Sequence, residues 1–251
     1  MECEANNHVQ LAKMRSLGMR IMLPFNRGPI RDMTMSQAYC PPPHTVPNII
    51  YSDAALLIVE KPSGLLSVPG RGPQKADCLL SRTCEVFADA RIVHRLDMET
   101  SGLMVMARTR EAHRALSIQF EKRKVRKEYI ARVTGHPGAR TGEIDLPLIN
   151  DWPNRPLQKV DHAQGKPALT RWEILAQEQE ASRLLLKPVT GRSHQLRVHL
   201  NAIGHPILGD TLYGTVMSKA GAARLQLHAS LLGVQHPSSG EAMQFESASP
   251  F

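Results

Sequence analysis

Apolar residues in this chain come mostly in runs of four or five bounded by Gly, Pro, Ser, Thr or Asp, which is the spacing of short strands. Regularity starts near Ile49. Leu56-Leu57-Ile58-Val59 is one such run, closed by Lys61-Pro62-Ser63-Gly64, where proline removes a ladder donor and the Ser-Gly pair turns the chain. Ala90 to Val93 and Leu103 to Ala107 are two more, with the polar stretch from His94 to Gly102 between them and Thr100-Ser101-Gly102 expected as its turn. Ala112, Leu116 and Phe120 recur at four-residue steps, with Ala115 and Ile118 widening the stripe, so a helix is predicted between Arg110 and Lys122. Val125, Tyr129, Ala131 and Val133 then alternate as in a half-buried strand, interrupted on the apolar face by Lys127.

Two prolines, an Asn and an Asp within Asp151 to Pro156 exclude regular structure there. Leu184-Leu185-Leu186 reads as a strand that stops at Pro188 and a Thr-Gly turn. A helix with Leu196, Leu200 and Ile203 on one face follows, ended by Gly204 and Pro206. Strands are expected again over Arg224–Leu232 and around Met243–Phe245, with His236 to Gly240 as their turn. Strands outnumber helices, which predicts an α+β fold.

A strand after Ala90 that stays extended to its end would place Asp97 at that end, with Arg95 and Asp97 on one face and His94 and Leu96 on the other. The plain reading of Asp97 is a turn cap that accepts nearby backbone N–H groups. A formal net charge of +8 suits a polyanionic partner, because Lys and Arg gain affinity for phosphates by releasing condensed counterions. Lys122 to Arg132 concentrates that charge, as either a solvated face or a phosphate-contacting edge. Cys3, Cys40, Cys78 and Cys84 show no paired spacing, so neither a zinc ribbon nor a disulfide framework is indicated, and a cytoplasmic protein is expected. His194 and His199 stand five residues apart, about 500° around a helix, and so do not share a face as i and i+4 metal ligands would.

Residues 1–47 are rich in Met, Pro and Arg with weak periodicity, and are read as an N-terminal extension ahead of one domain over 48–251. The extension is either an unstructured basic tail or sequence upstream of a translation start at Met33 or Met35. No run there is long enough for a signal or membrane segment.

His94-Arg95-Leu96-Asp97 followed by Thr100-Ser101-Gly102 resembles the signature of the RluA family of RNA pseudouridine synthases. Asp53 to Gly70 resembles that family's first motif, with Glu60 where Asn is expected. Lys127-Glu128-Tyr129-Ile130-Ala131 matches its Lys-x-Tyr-x-Ala, and Gly191 to Arg197 its Gly-Arg-x-His-Gln-Leu-Arg. Asp145 to Lys159 is similar to the family's dual-specificity branch, which modifies both 23S ribosomal RNA and a tRNA anticodon stem-loop. The likeness covers about Ile49 to Phe251, and no separate helical RNA-binding module is visible ahead of it.

The resemblance implies a curved, mixed, mainly antiparallel β-sheet with flanking helices and a central cleft. It implies Asp97 as the indispensable catalytic residue, Tyr129 against the target base, and Arg197 as the ion-pair partner of Asp97. Arg95 would fill the space left by a flipped nucleotide, and Leu96, Arg123, Lys127, Arg192 and His194 would complete the substrate surface. The reaction it implies is conversion of uridine to pseudouridine, an isomerisation that requires no cofactor and no metal. The expected partners are 23S rRNA and a tRNA anticodon stem-loop, with no membrane, for a monomer. The rival readings are a non-catalytic RNA-binding or ribosome-assembly protein and a metal-dependent hydrolase built on the histidines.

Overall fold

The computed structural model describes residues 39–251, so most of the proposed extension and both candidate start methionines lie outside the described residues. Ten strands form one mixed sheet in the order β1-β2-β4-β11-β5-β10-β9-β6, with β3 paired to β4 and β12 to β11. The first group comprises β1 (Asn48–Ser52), β2 (Leu56–Lys61), β3 (Arg91–Ile92) and β4 (Ser101–Ala107). The second comprises β5 (Arg126–Thr134), β6 (Thr141–Asp145), β9 (Leu169–Gln177), β10 (Ala181–Pro188), β11 (Leu227–Gln235) and β12 (Ala242–Glu246). β7 (Leu148–Asn150) and β8 (Gln158–Val160) make a separate hairpin. Among these ladders β4–β11 is parallel and the rest are antiparallel.

β2 and β4 read as unbroken apolar runs because both of their faces are covered. Leu56, Ile58, Leu103 and Val105 pack on one face with Ala112 and Leu116 of the helix α2 (Arg110–Glu121), while Leu57, Val59, Met104 and Met106 pack on the other with Leu79 of α1 (Leu79–Cys84). Leu116 is fully buried, and truncation to Ala there costs about 2–5 kcal/mol. The second half of the sheet has its own core, in which Leu196 and Leu200 of α3 (Gln195–Ala202) lie on Ala131, Val133, Leu184 and Leu186. Tyr129 packs against both the second core and the Leu57 side of the first, at their junction.

The two halves meet along a short seam, where His228 pairs with Ser101 and Ala229 with Gly102. Gly102 has φ +112°, and a Cβ there would lie 2.3 Å from the Ala229 carbonyl oxygen, so only glycine permits this approach.

Several expectations shift. β3 ends at Ile92, five positions before Asp97, so Asp97 occupies a loop rather than a strand end. The turn is Asp97 to Thr100, closed by the Thr100 N–H on the Asp97 carbonyl at 3.1 Å, and Ser101 and Gly102 already belong to β4. In α2, Ile118 is exposed and Gln119 takes the inner position, where it donates to the Gln235 carbonyl and accepts from the Gln235 N–H. The strand expected from Arg224 begins at Leu227. α1 and α4 (Val216–Ala220) carry too few turns to show periodicity, and the sequence did not announce them. Residues 39–47 have little regular structure yet are tied down: Arg82 donates to the Pro42 and Pro43 carbonyls, and the Tyr39 hydroxyl bonds the Asp77 carbonyl and the Leu66 N–H.

Candidate active site

A cleft of about 690 Å³ opens where the two halves meet, walled by residues 92–98 on one side and by Lys127, Tyr129 and residues 190–197 on the other. The loop that brings Asp97 there hangs from two buried anchors. The Ser67 hydroxyl donates to the Leu96 carbonyl and accepts from the Leu96 N–H, which fixes Leu96 in the core. Lys61, fully buried at the end of β2, donates to the carbonyls of Pro62, Leu65 and Met98. Burial pushes the Lys61 pKa down to about 7, against the pull of nearby Asp97. His94 points inward, stacked 4.5 Å from the Phe120 ring with Nε2 accepting the Val105 N–H, and burial lowers its pKa to about 3. Arg95 is exposed and Asp97 half-buried, and both line the cleft together with His94 and Leu96, so the lining does not divide these four residues into the two faces expected of a strand.

The opposite wall is set by the turn into α3. Buried Gln195 accepts from the Thr190 hydroxyl and the Arg192 N–H and donates to the Leu169 carbonyl and the Thr170 hydroxyl. His194 adopts the left-handed conformation at φ 53°, which directs its ring into the cleft. Its Nδ1 lies 2.6 Å from the Tyr213 hydroxyl, which also accepts the Gln158 N–H at 2.8 Å. With the phenol donating to Nδ1, a neutral His194 would carry its proton on Nε2, which lies 3.9 Å from Asp97 Oδ1. Burial lowers the His194 pKa, with Asp97 acting in the opposite sense.

Arg197 pairs with Asp97, but not with Asp97 alone. Its guanidinium is buried among three carboxylates, and Asp97 is the most distant, at 3.7 Å. Asp210 takes Nε and Nη2 at 2.8 and 2.7 Å, and Glu99 takes Nη2 at 2.8 Å. Burial alone would lower the Arg197 pKa, but the Asp210 hydrogen bonds and the charges of all three acids raise it overall. Arg197 thus acts as a shared counter-charge, with its orientation set by Asp210 and its field reaching Asp97. Tyr129 lines the cleft beside them, its hydroxyl held protonated by burial first and the Asp97 charge second.

Lys127 lines the cleft, and burial lowers its pKa. Arg192 also lines it, with Nε donating to the Pro167 carbonyl at 3.2 Å. Arg123 does not line it: it sits exposed with φ 56° at the turn after α2, and reaches Lys127 only through its charge. Glu99, Asp210, Tyr213, Gln195 and Lys61 were missed. Each matters through a partner at least four and as many as 98 positions away, which local spacing cannot reveal. Among the described residues no cluster of three or more His, Cys, Asp or Glu could hold a metal ion, and His199 and His205 instead bond Leu146 and Thr134 carbonyls. No helix of the described residues is long and apolar enough to cross a membrane.

Residues 55–202 match the RNA pseudouridylate synthase family. The chain is 49% identical over 214 residues to the dual-specificity RNA pseudouridine synthase RluA of Escherichia coli strain K12, covering 85% of this chain and 98% of that one. It is 51% identical over 204 residues to the protein of the same name from Yersinia pestis, covering 81% and 99%. Human RNA pseudouridylate synthase domain containing 1 superposes with a TM-score of 0.70 at 31% identity, over 84% of this chain and 87% of that structure. With the mixed sheet, the cleft at its seam and Asp97 within it, these likenesses establish that the chain belongs to the RNA pseudouridylate synthase family.

Proposed function

We propose that this pseudouridine synthase modifies specific uridines in both 23S rRNA and a tRNA anticodon stem-loop, with Asp97 as its catalytic carboxylate. The observation that carries the assignment of Asp97 is its place: half-buried at the cleft, facing His194 and Arg197 without a close hydrogen bond to either, and so free to act on substrate. The dual substrate rests on the names of relatives that match nearly their whole length to this chain, together with the likeness of residues 145–159 to that branch. The catalytic domain spans 48–251 and works as a monomer in the cytoplasm.

The reaction moves one bond. The N1–C1′ bond breaks, the uracil rotates, C5 bonds to C1′, and the hydrogen on C5 leaves to solvent as N1 gains one. Breaking the glycosidic bond creates positive charge at C1′, which an ionised Asp97 answers either as nucleophile there or as base for the C2′ proton. No electron is transferred, so no redox cofactor is needed. The target base must leave its stack, at a cost of a few kcal/mol, and Arg95 at the cleft mouth fills the vacancy. Tyr129 supplies a flat apolar surface for the flipped base. Lys127, Arg192 and His194 face the substrate backbone from the far wall, and Arg123 adds charge from outside.

Asp97→Asn tests the assignment. An RNA labelled with tritium at uracil C5 should release no label with the variant, while RNA affinity stays within about tenfold, roughly 1.4 kcal/mol. Because Asp210 and Glu99 still hold Arg197, the variant should remain folded, which removes the ambiguity of a catalytic loss caused by unfolding. Wild-type label release by the folded variant would reject Asp97, and a wild type that binds RNA but releases no label would favour a non-catalytic RNA-binding or assembly role. Mapping pseudouridines in cells lacking the protein tests the dual substrate, which fails if only one RNA class loses its modification.

A further inference from the structure

One exposed feature plays no part in the cleft chemistry. At the tip of the β7–β8 hairpin, residues 152–156 are all exposed, and Trp152 stands 64% accessible. The Arg155 guanidinium lies 3.7 Å from the Trp152 ring centroid, well within cation–π range. The chain's other tryptophan, Trp172, packs against the second core, so exposure at position 152 is a local property.

The tip is rigid. The Asn154 N–H and side-chain amide donate to Asp151, the Leu157 N–H donates to the Asn154 carbonyl, the Asp151 N–H donates to the Leu157 carbonyl, and Pro153 and Pro156 restrict the backbone. The tip is also joined to the active site. The Gln158 N–H donates to the Tyr213 hydroxyl, Tyr213 bonds His194, and His194 faces Asp97. Leu148 and Val160 of the hairpin pack with Val198 of α3, one residue beyond Arg197. Lys159 on β8 and Lys166, which bridges to Leu148, are exposed on the same unit.

We propose that Trp152 and Arg155 form a stacking platform for an unpaired base of the substrate RNA outside the flipped uridine. This rests on the RNA-modifying function above. An exposed indole stacked on a guanidinium, on a hairpin unit that also exposes Lys159 and Lys166, fits a nucleobase on a phosphate chain better than it fits an apolar protein surface. Stacking is tolerant of base identity, which suits a protein that accepts two RNAs of different sequence. A fixed platform also costs little ordering entropy on binding.

The test uses the full chain and a tRNA anticodon stem-loop oligonucleotide carrying C5-tritiated uridine. Wild-type tryptophan fluorescence should be quenched saturably by the RNA, and Trp152→Leu should abolish that quenching. KM from label release should rise about tenfold in Trp152→Leu with kcat within about twofold, and Trp152→Phe should recover most of the loss. Thermal midpoints of both variants should match wild type. Unchanged KM in Trp152→Leu, or quenching that survives it, overturns the platform. A raised KM that Phe does not rescue and that accompanies a lowered thermal midpoint overturns it in favour of a role in hairpin stability. If wild type releases no label but the RNA still quenches Trp152, the catalytic reading fails while the platform stands; no quenching by any RNA sinks the platform, and an unlabelled protein partner that quenches instead identifies a different occupant.

Discussion

Asp210→Asn offers the sharpest probe of how the cleft is held. Asp210 is completely buried. Its Oδ1 accepts from Arg197 Nη2 at 2.7 Å and from the Leu212 and Tyr213 N–H groups at 3.0 Å each, and its Oδ2 accepts from Arg197 Nε at 2.8 Å. Asparagine can keep the Oδ1 contacts, but its amide NH₂ then meets the Arg197 Nε–H donor to donor. Removing one member of a buried ion pair typically costs about 3–5 kcal/mol, and with Glu99 and Asp97 still facing the guanidinium the lower end, about 3 kcal/mol, applies. For a domain of this size that is a fall in thermal midpoint of about 6–12 °C. Burial by itself would raise the Asp210 pKa, but Arg197 and the two N–H groups outweigh it and hold the carboxyl below its ordinary range. A depressed folded pKa means that the stabilisation is present above the unfolded value of about 3.9 and fades as pH falls through the folded value. Urea unfolding of wild type and variant should therefore differ by about 3 kcal/mol at pH 7 and converge in strong acid. Label release should show kcat lowered about tenfold with KM little changed, since Arg197 loses its orientation rather than its RNA contacts. A variant within 0.5 kcal/mol of wild type at pH 7, by the order-of-magnitude scale for neutral surface changes, would refute the view that Asp210 sets Arg197.

Lys61→Met strands three carbonyls that share one ammonium, so it should cost about 2–4 kcal/mol and increase amide exchange around Met98. Because the Lys61 pKa falls to about 7 in the fold, the unfolded chain holds this proton more tightly, and wild-type stability should rise with pH from about 7 to 10 by up to about 1.4 kcal/mol per unit, a slope that the Met variant lacks. His94, with its pKa at about 3, should show no imidazole titration by NMR between about pH 5 and 8, and a transition near pH 6.5 would contradict its buried stack on Phe120. Neutralising Lys122, Arg123 and Lys124 together should flatten the slope of log affinity against log salt by about 2 with the fold intact, whereas an unchanged slope would make this exposed run a solvated face.

Much of the fold was legible because burial on both faces writes itself as apolar runs: β2 and β4 were visible as such, β10 showed as three leucines although its burial alternates, and the α2 stripe at four-residue steps gave its helix. Gln119 went unremarked because a buried amide that satisfies both of its hydrogen bonds looks, in sequence, like a surface residue, and Ile118 was placed on the inner stripe although it is exposed, because side-chain apolarity alone does not fix the face. Asp97, Tyr129 and Arg197 were legible only through motif resemblance, since nothing in local spacing separates a catalytic Asp from a turn cap. The Asp210 contribution was hidden because a carboxylate 13 residues beyond its arginine, past the end of a helix, leaves no periodic trace.

The seam between the two halves of the sheet carries a consequence for how the protein becomes active. Asp97 descends from the first half and Arg197 and Tyr129 from the second, and the ladder between them is the pair of residues Ser101 and Gly102 against His228 and Ala229. Those partners are separated by 127 positions, so the ladder closes only after most of the described chain has been made. Contacts of such long sequence separation are slow to form, and a first half folded alone holds Asp97 and Glu99 without the Arg197 guanidinium that faces them in the complete fold. Catalytic competence is thereby tied to completion of the fold, and a side chain at Gly102, by wedging β4 from β11, would silence the enzyme by parting its two halves and would at the same time disturb the first half's cores, which take Ala229, Leu232 and Val234 from β11.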